Sequence, residues 1–128
     1  MIVLDASCAL ELILRREGSA GLAERVVAEE VHAPCLIDVE VVSGLRRLLR
    51  QRLLSPERAI LGLEWLLDLG IERHHGGELA RRVFALRGSL SAYDAAYVAV
   101  AELLSAPLLT ADARLARSHG HAARIELV

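Results

Sequence analysis

What most limits the folds open to this chain is an alternation of short apolar runs with helical stretches, sustained over its whole length. Residues 1–5, "MIVLD", read as a strand, and 6–16 as a helix. A second helix is predicted over 20–30. It is followed by "VHAP", a strand stopped at Pro34, and by the long helix of "LIDVEVVSGLRRLLRQR". Ser55-Pro56-Glu57 is a helix start, with a hydroxyl cap and a proline in the first turn, and that helix runs to Leu69 ahead of Gly70. "IERH" is a further strand and "ELARRVFALRG" a helix closed by Gly88. "SAYDAAYVAVAELLSA" is a helix so apolar that it has to be buried. "PLLTAD" and "RIELV" are strands on either side of a short helix, "ARLARSHG". Apolar strands alternating with helices imply an α/β fold whose mostly parallel central sheet is covered by helices on both faces. Sites in such folds form outside the carboxyl ends of the strands. Asp5 and Asp112 both fall there.

The 128 residues suffice for a single domain, 1–128, with one proper core. Aromatic residues are only 3% of the chain against 54% hydrophobic, so Leu, Val, Ile and Ala must fill that core. No apolar run is long enough to cross a membrane, and Asp5 and Glu11 break the N-terminal one, which argues against a secretion signal. Two cysteines, Cys8 and Cys35, are too few for a disulfide framework and are expected reduced in a cytoplasmic protein. All fifteen basic residues are Arg. Without lysine there is neither a P-loop nor Schiff-base chemistry. A phosphoacceptor receiver domain would want paired acids after the first strand and a lysine near the end, whereas here Asp5 stands alone. No Cys/His zinc pattern competes, because the cysteines are scattered and His74 and His75 are adjacent.

Three acids have an ordinary structural role open to them. Asp5 and Asp112 could each cap the helix that follows, and Asp94 sits in Ser91-x-x-Asp94, which resembles a capping box. Each cap would contribute about 1 kcal/mol. Glu40 is different, because it lies inside a helix where capping is impossible. It falls at the margin of the apolar stripe Ile37, Val41, Leu45 and Leu48, beside Gly44. The plain reading is a solvated carboxylate paired with Arg47. The alternative is that Asp5, Glu40, Asp94 and Asp112 converge. Like charges cannot all ionise side by side without compensation, and Mg²⁺ supplies it with oxygen-only coordination. Such an ion can generate a hydroxide nucleophile and stabilise charge on a phosphodiester.

"MIVLDAS", "PCLIDVEVVSGL", "LSAYDAAYVAVAELLSAPLLTAD" and the following "ARLAR" closely resemble PIN domains, in particular VapC-type toxins of bacterial toxin–antitoxin pairs. The block from Tyr93 to Tyr97, followed by Leu109-Thr110-Ala111-Asp112, is the most specific part. The resemblance implies a PIN-like three-layer α/β/α sandwich and a Mg²⁺- or Mn²⁺-dependent endoribonuclease held in check by a VapB-type antitoxin. By matched position it implies Asp5, Glu40, Asp94 and Asp112 as the acidic quartet, with Ser7 and Thr110 as small hydroxyls near the metal. The alternative from another class is a PIN-fold RNA-binding or scaffold domain with a dead site. Four intact acids argue against it, since a protein that only binds RNA gains nothing from repelling phosphate.

Two surfaces extend this reading. Arg46, Arg47, Arg50 and Arg52 follow Glu40 on its helix and are candidates for phosphate contacts. In "PERAILGLEWLLDLG" the apolar residues spread around most of the helix, more widely than one sheet face can cover. Part of that helix, including Leu61 with Trp65 as anchor, is therefore expected to meet the antitoxin or a second copy in a homodimer.

Overall fold

A computed structural model describes residues 1–128. Five short strands, β1 (Ile2–Leu4), β2 (Val31–Pro34), β3 (Glu72–His74), β4 (Leu108–Thr110) and β5 (Ile125–Leu127), form one sheet in the order β3-β2-β1-β4-β5. Every pairing is parallel, so the sheet is wholly rather than mostly so. Seven helices connect the strands: α1 (Ala6–Leu14), α2 (Ala20–Ala28), α3 (Ile37–Arg50), α4 (Pro56–Asp68), α5 (Gly77–Ala85), α6 (Ala92–Leu104) and α7 (Ala113–Ala116).

The path moves outward from β1 through β2 to β3, then returns across the sheet to β4 and β5. Parallel crossovers are almost always right-handed, so the outward connections, α1 to α4, cover one face and the return connections, led by α5 and α6, cover the other. The helix contacts divide accordingly. α1 packs on α2, α3 and α4, and α5 packs on α6, which spans β2, β1 and β4. The result is the expected three-layer sandwich. Its central strands are β1 and β4, where Ile2, Val3, Leu4, Leu108 and Leu109 are fully buried.

Local sequence accounts for the element ends. Ser55 caps α4, its hydroxyl accepting from the Arg58 amide at 3.2 Å, with Pro56 in the first turn. α1 stops at Leu14, two residues short of expectation, because Arg15 takes a left-handed conformation (φ 52°) and closes the helix with its own amide. α7 is a single turn over 113–116 rather than the eight residues the pattern suggested. Two glycines let helices approach closely. A Cβ on Gly44 of α3 would collide with Leu10, and one on Gly62 of α4 would meet Ile13 Cγ2 at 2.5 Å. Both contacts seat a neighbouring helix on α1, the helix that starts at Asp5. No helix is long and apolar enough to cross a membrane. Cys8 is buried and Cys35 exposed, and both are free.

Candidate active site

The chain reverses its direction of travel across the sheet between β1 and β4. Ligand crevices in open parallel sheets form at such a reversal, beyond the carboxyl ends of the strands. Asp5 leaves β1 there and Thr110 ends β4. Asp5 is 8% exposed, and its Oδ2 accepts two hydroxyl bonds, from Ser7 at 2.6 Å and from Thr110 at 2.7 Å. Those hydroxyls are fixed in turn by backbone donors, Ala111 N–H to Ser7 at 2.9 Å and Asp112 N–H to Thr110 at 3.0 Å. Ser7 and Thr110 thus knit the two strand ends together around one carboxylate oxygen. Asp5 is the N-terminal flanking residue of α1, but its side chain makes no capping bond. The capping reading fails for Asp5.

Glu40 arrives from the first turn of α3, on the margin of a stripe whose Ile37, Val41, Gly44, Leu45 and Leu48 are all buried. It is half-buried and forms no ion pair with Arg47. The hydroxyl of Tyr97, a residue only 1% exposed on α6, donates to Glu40 Oε2 at 2.6 Å. The sequence alone gives Tyr97 no role beyond its place in the Tyr93–Tyr97 block. Its period on α6 marks it as core, and only the folded structure shows that its polar tip reaches Glu40.

Asp94 begins α6. Ser91 caps that helix by accepting from the Asp94 amide at 3.1 Å, but the Asp94 carboxylate does not complete a capping box. It accepts instead from Arg114 Nη2 at 2.9 Å. Asp112 does act as a cap, accepting from the amides of Arg114 at 2.7 Å and Leu115 at 3.4 Å. Its other oxygen takes the same Arg114 Nη2 at 3.1 Å. Arg114 was not singled out by sequence reasoning. The available signal was its position two residues after Asp112, where a short helix turns the side chain back over the strand ends.

The electrostatics couple three of the acids, Asp5, Glu40 and Asp94. Burial pushes the Asp5 carboxyl above its ordinary range, against the pull of the Ser7 and Thr110 hydroxyls, and the charge of Asp94 pushes the same way. Burial also raises Glu40, opposed by the Tyr97 hydroxyl and reinforced by Asp5 and Asp94. The Tyr97 hydroxyl itself is held protonated, chiefly by burial and then by Glu40. Arg114, the one cation bonded to this group, is exposed. No three of these acids bring oxygens within 4.8 Å of one another. A cation shared by these acids would have to draw their side chains together or reach some of them through its waters.

The outlying candidates are placed differently. Arg46, Arg47, Arg50 and Arg52 are exposed on or just after α3, and Glu40 pairs with none of them. At about 100° per residue, Arg47 shares the helix face of Glu40, Arg50 lies about 80° from it and Arg46 about 120°. On α4, Ala59, Gly62 and Leu66 are buried while Ile60, Leu61 and Leu67 are 63%, 69% and 48% exposed. Leu61 and Trp65 line a groove of about 240 Å³ with Leu12 and Ile13 of α1.

The PIN-domain family model matches residues 2–119. The chain belongs to the PIN-domain family. It is 44% identical to ribonuclease VapC12 of Mycobacterium tuberculosis over 128 residues, covering 100% of this chain and 99% of the relative. It is 43% identical to ribonuclease VapC9 of the same species over 115 residues, covering 90% and 88%. The fold is shared with a VapC20 toxin of M. tuberculosis described as cleaving the sarcin–ricin loop. That match has a TM-score of 0.67 at 17% identity and covers 95% of this chain and 97% of that one. It is shared also with the FitAcB structure from Neisseria gonorrhoeae, TM-score 0.65 at 20% identity, with 90% of each chain covered.

Proposed function

We propose that this PIN-domain protein is a divalent-metal-dependent endoribonuclease and the toxin of a toxin–antitoxin pair. The observation that carries the reading is Asp5. The fold buries a carboxylate, fixes one of its oxygens with two hydroxyls, and sets Asp94 where its charge opposes the ionisation of Asp5, while Asp5 and Asp94 together oppose that of Glu40. Caps and surface acids need no such arrangement. Its cost in the free protein is offset by a cation. Asp5, Glu40, Asp94 and Asp112 are the residues that would hold Mg²⁺ or Mn²⁺, both of which take carboxylate and water oxygen. When bound, the ion supplies a hydroxide at neutral pH and stabilises charge on the phosphodiester.

The chain's own residues set the stage for that chemistry. Ser7 and Thr110 aim Asp5 and keep it from rotating. Tyr97 holds Glu40 against the cleft with a proton it does not release. Arg114 neutralises Asp94 and Asp112 in the free protein, and its exposed guanidinium can turn to an incoming phosphate. Substrate is drawn toward an otherwise repelling site by exposed arginines of α3, Arg47 and Arg50 foremost. The names of the 44% and 43% identical relatives support RNA as substrate. The resemblance to VapC-type toxins implies a VapB-type antitoxin as partner, with the groove of Leu61 and Trp65 as its candidate seat or that of a second copy. A cytoplasmic site of action accords with this substrate.

Brief expression in a host, followed by mapping of RNA 5′ ends, tests the reading. The wild-type chain should generate a small set of new ends that Asp94→Asn does not. New ends equally abundant with Asp94→Asn, or none at all, would overturn it.

A further inference from the structure

At the far edge of the sheet from β5, the parallel register of β2 and β3 places His32 directly opposite Glu72. Side chains alternate faces along a strand, so His74 joins Glu72 on the same side. Three donor atoms converge as a result. His32 Nδ1 lies 3.0 Å from His74 Nε2 and 3.7 Å from a Glu72 oxygen, and His74 Nε2 lies 4.0 Å from the other Glu72 oxygen. This trio is the one group of potential metal ligands in the chain within 4.8 Å of one another. The adjacency of His74 and His75 gave no hint of it, because the decisive partner is on another strand.

A second observation concerns His32 itself. Its ring is 4% exposed, yet its Nε2 has no hydrogen-bond partner. The unpaired Nε2 is a cost that the fold bears whether or not an ion is bound, and what bears on a ligand is the opposite nitrogen, Nδ1, which faces His74 and Glu72. With its proton on Nε2, His32 presents the Nδ1 lone pair to His74 and Glu72.

We propose that His32, Glu72 and His74 form a second metal site, selective for a zinc-class ion and separate from the acidic one. Imidazole favours Zn²⁺, Ni²⁺ and Co²⁺ over Mg²⁺, while carboxylate and water favour the reverse. Zinc bonds of about 2.0–2.1 Å put neighbouring tetrahedral donors about 3.3 Å apart, so the three separations need only small side-chain adjustments. Glu72, largely exposed, has the freedom to make them. Binding displaces the proton between the two histidines. His74 gives up its Nε2 proton to solvent and takes one from solvent at Nδ1, a change of tautomer that leaves the ring neutral and releases no net proton. Three protein ligands leave a fourth position for water. The ion clips β3, a three-residue edge strand, onto β2, alongside the bidentate Arg73–Asp38 pair that already ties β3 to α3.

The test is Co²⁺ titration of the tag-free full chain, stripped with chelator and held in excess Mg²⁺. The proposal expects one equivalent of Co²⁺ with the strong visible absorption of tetrahedral coordination, displaced by Zn²⁺. Asp94→Asn should keep that signal. Glu72→Gln, at an exposed position that leaves folding intact, and His74→Ala should each weaken binding at least about tenfold, the loss that even an outer-sphere partner can cause. No saturable Co²⁺ signal in excess Mg²⁺ would overturn the site. So would a signal indifferent to Glu72→Gln and His74→Ala, or one lost with Asp94→Asn.

Discussion

Tyr97→Phe isolates the bond that holds Glu40 in the cleft. The substitution keeps the ring, which is 1% exposed, and removes only the hydroxyl that donates to Glu40 Oε2 at 2.6 Å. Hydrogen bonds to a charged group are worth about 1.5–3 kcal/mol. Glu40 is half-buried and keeps some access to water, so about 1–2 kcal/mol is expected at neutral pH. For a chain of this size that is a fall of about 3–6 °C in Tm. The pH dependence has a definite sign. The Tyr97 bond lowers the pKa of Glu40 against the larger rise from burial, so the bond favours the ionised carboxylate. Its contribution is present above the folded pKa of Glu40 and declines as pH falls through that value, which lies above the ordinary 4.5. Urea denaturation of wild type and Tyr97→Phe at about pH 7 and about pH 4 measures it. The penalty should roughly halve at the lower pH, where a neutral bond replaces a charged one. A penalty under about 0.5 kcal/mol at neutral pH, or one equal at both, would refute the assignment.

Arg114→Ala removes the guanidinium shared by Asp94 and Asp112, so Mg²⁺ binding should tighten while RNA binding weakens; calorimetry with each ligand separates the two, and movement of both in one direction would contradict a shared role. Arg47→Gln with Arg50→Gln should flatten the salt dependence of RNA affinity, measured in Ca²⁺, by about 1.4 in logarithmic slope, at about 0.7 for each single-strand phosphate contact. An unchanged slope returns both to ordinary solvated charge. Leu61→Asp changes a residue 69% exposed and should shift stability by no more than about 0.5 kcal/mol, yet abolish co-purification with the antitoxin. Undiminished co-purification would move the partner surface elsewhere.

Much of this architecture was legible because the signals were local. Strand apolarity, the Ser55-Pro56 helix start and the all-apolar run of α6 each act within a few residues, and strand–helix alternation leaves few topologies. Asp5 and Asp112 were placed by the rule that sites form at strand ends. The rest depended on contacts between distant segments. Nothing near Tyr97 says that its hydroxyl meets Glu40, 57 residues away. Nothing near His32 says that β3 will bring Glu72 and His74 to it. Asp112 shows why residue-by-residue assignment stays ambiguous, since it caps α7 with one oxygen and faces Arg114 with the other. The early ends of α1 and α7 are likewise decided by backbone geometry that periodicity does not encode.

If Asp5 and the acids around it hold a metal ion, Mg²⁺ should raise the melting temperature of wild type far more than that of Asp5→Asn. Mg²⁺ is the right probe because the histidine cluster does not compete for it. The folded pKa of Asp5 is raised above its ordinary 3.8, so metal-free wild type is relieved of this cost at low pH and loses stability as pH rises through the raised value. Asn can still accept the Ser7 and Thr110 hydroxyls, without a buried charge. Metal-free Asp5→Asn should therefore be at least as stable as wild type at about pH 8, with a shallower decline from about pH 4. Mg²⁺ at about 100 times its Kd should stabilise wild type by about 2.7 kcal/mol and Asp5→Asn by far less. Equal Mg²⁺ shifts in the two proteins, with Asp5→Asn less stable than wild type without metal, would make Asp5 a structural carboxylate and not a metal ligand.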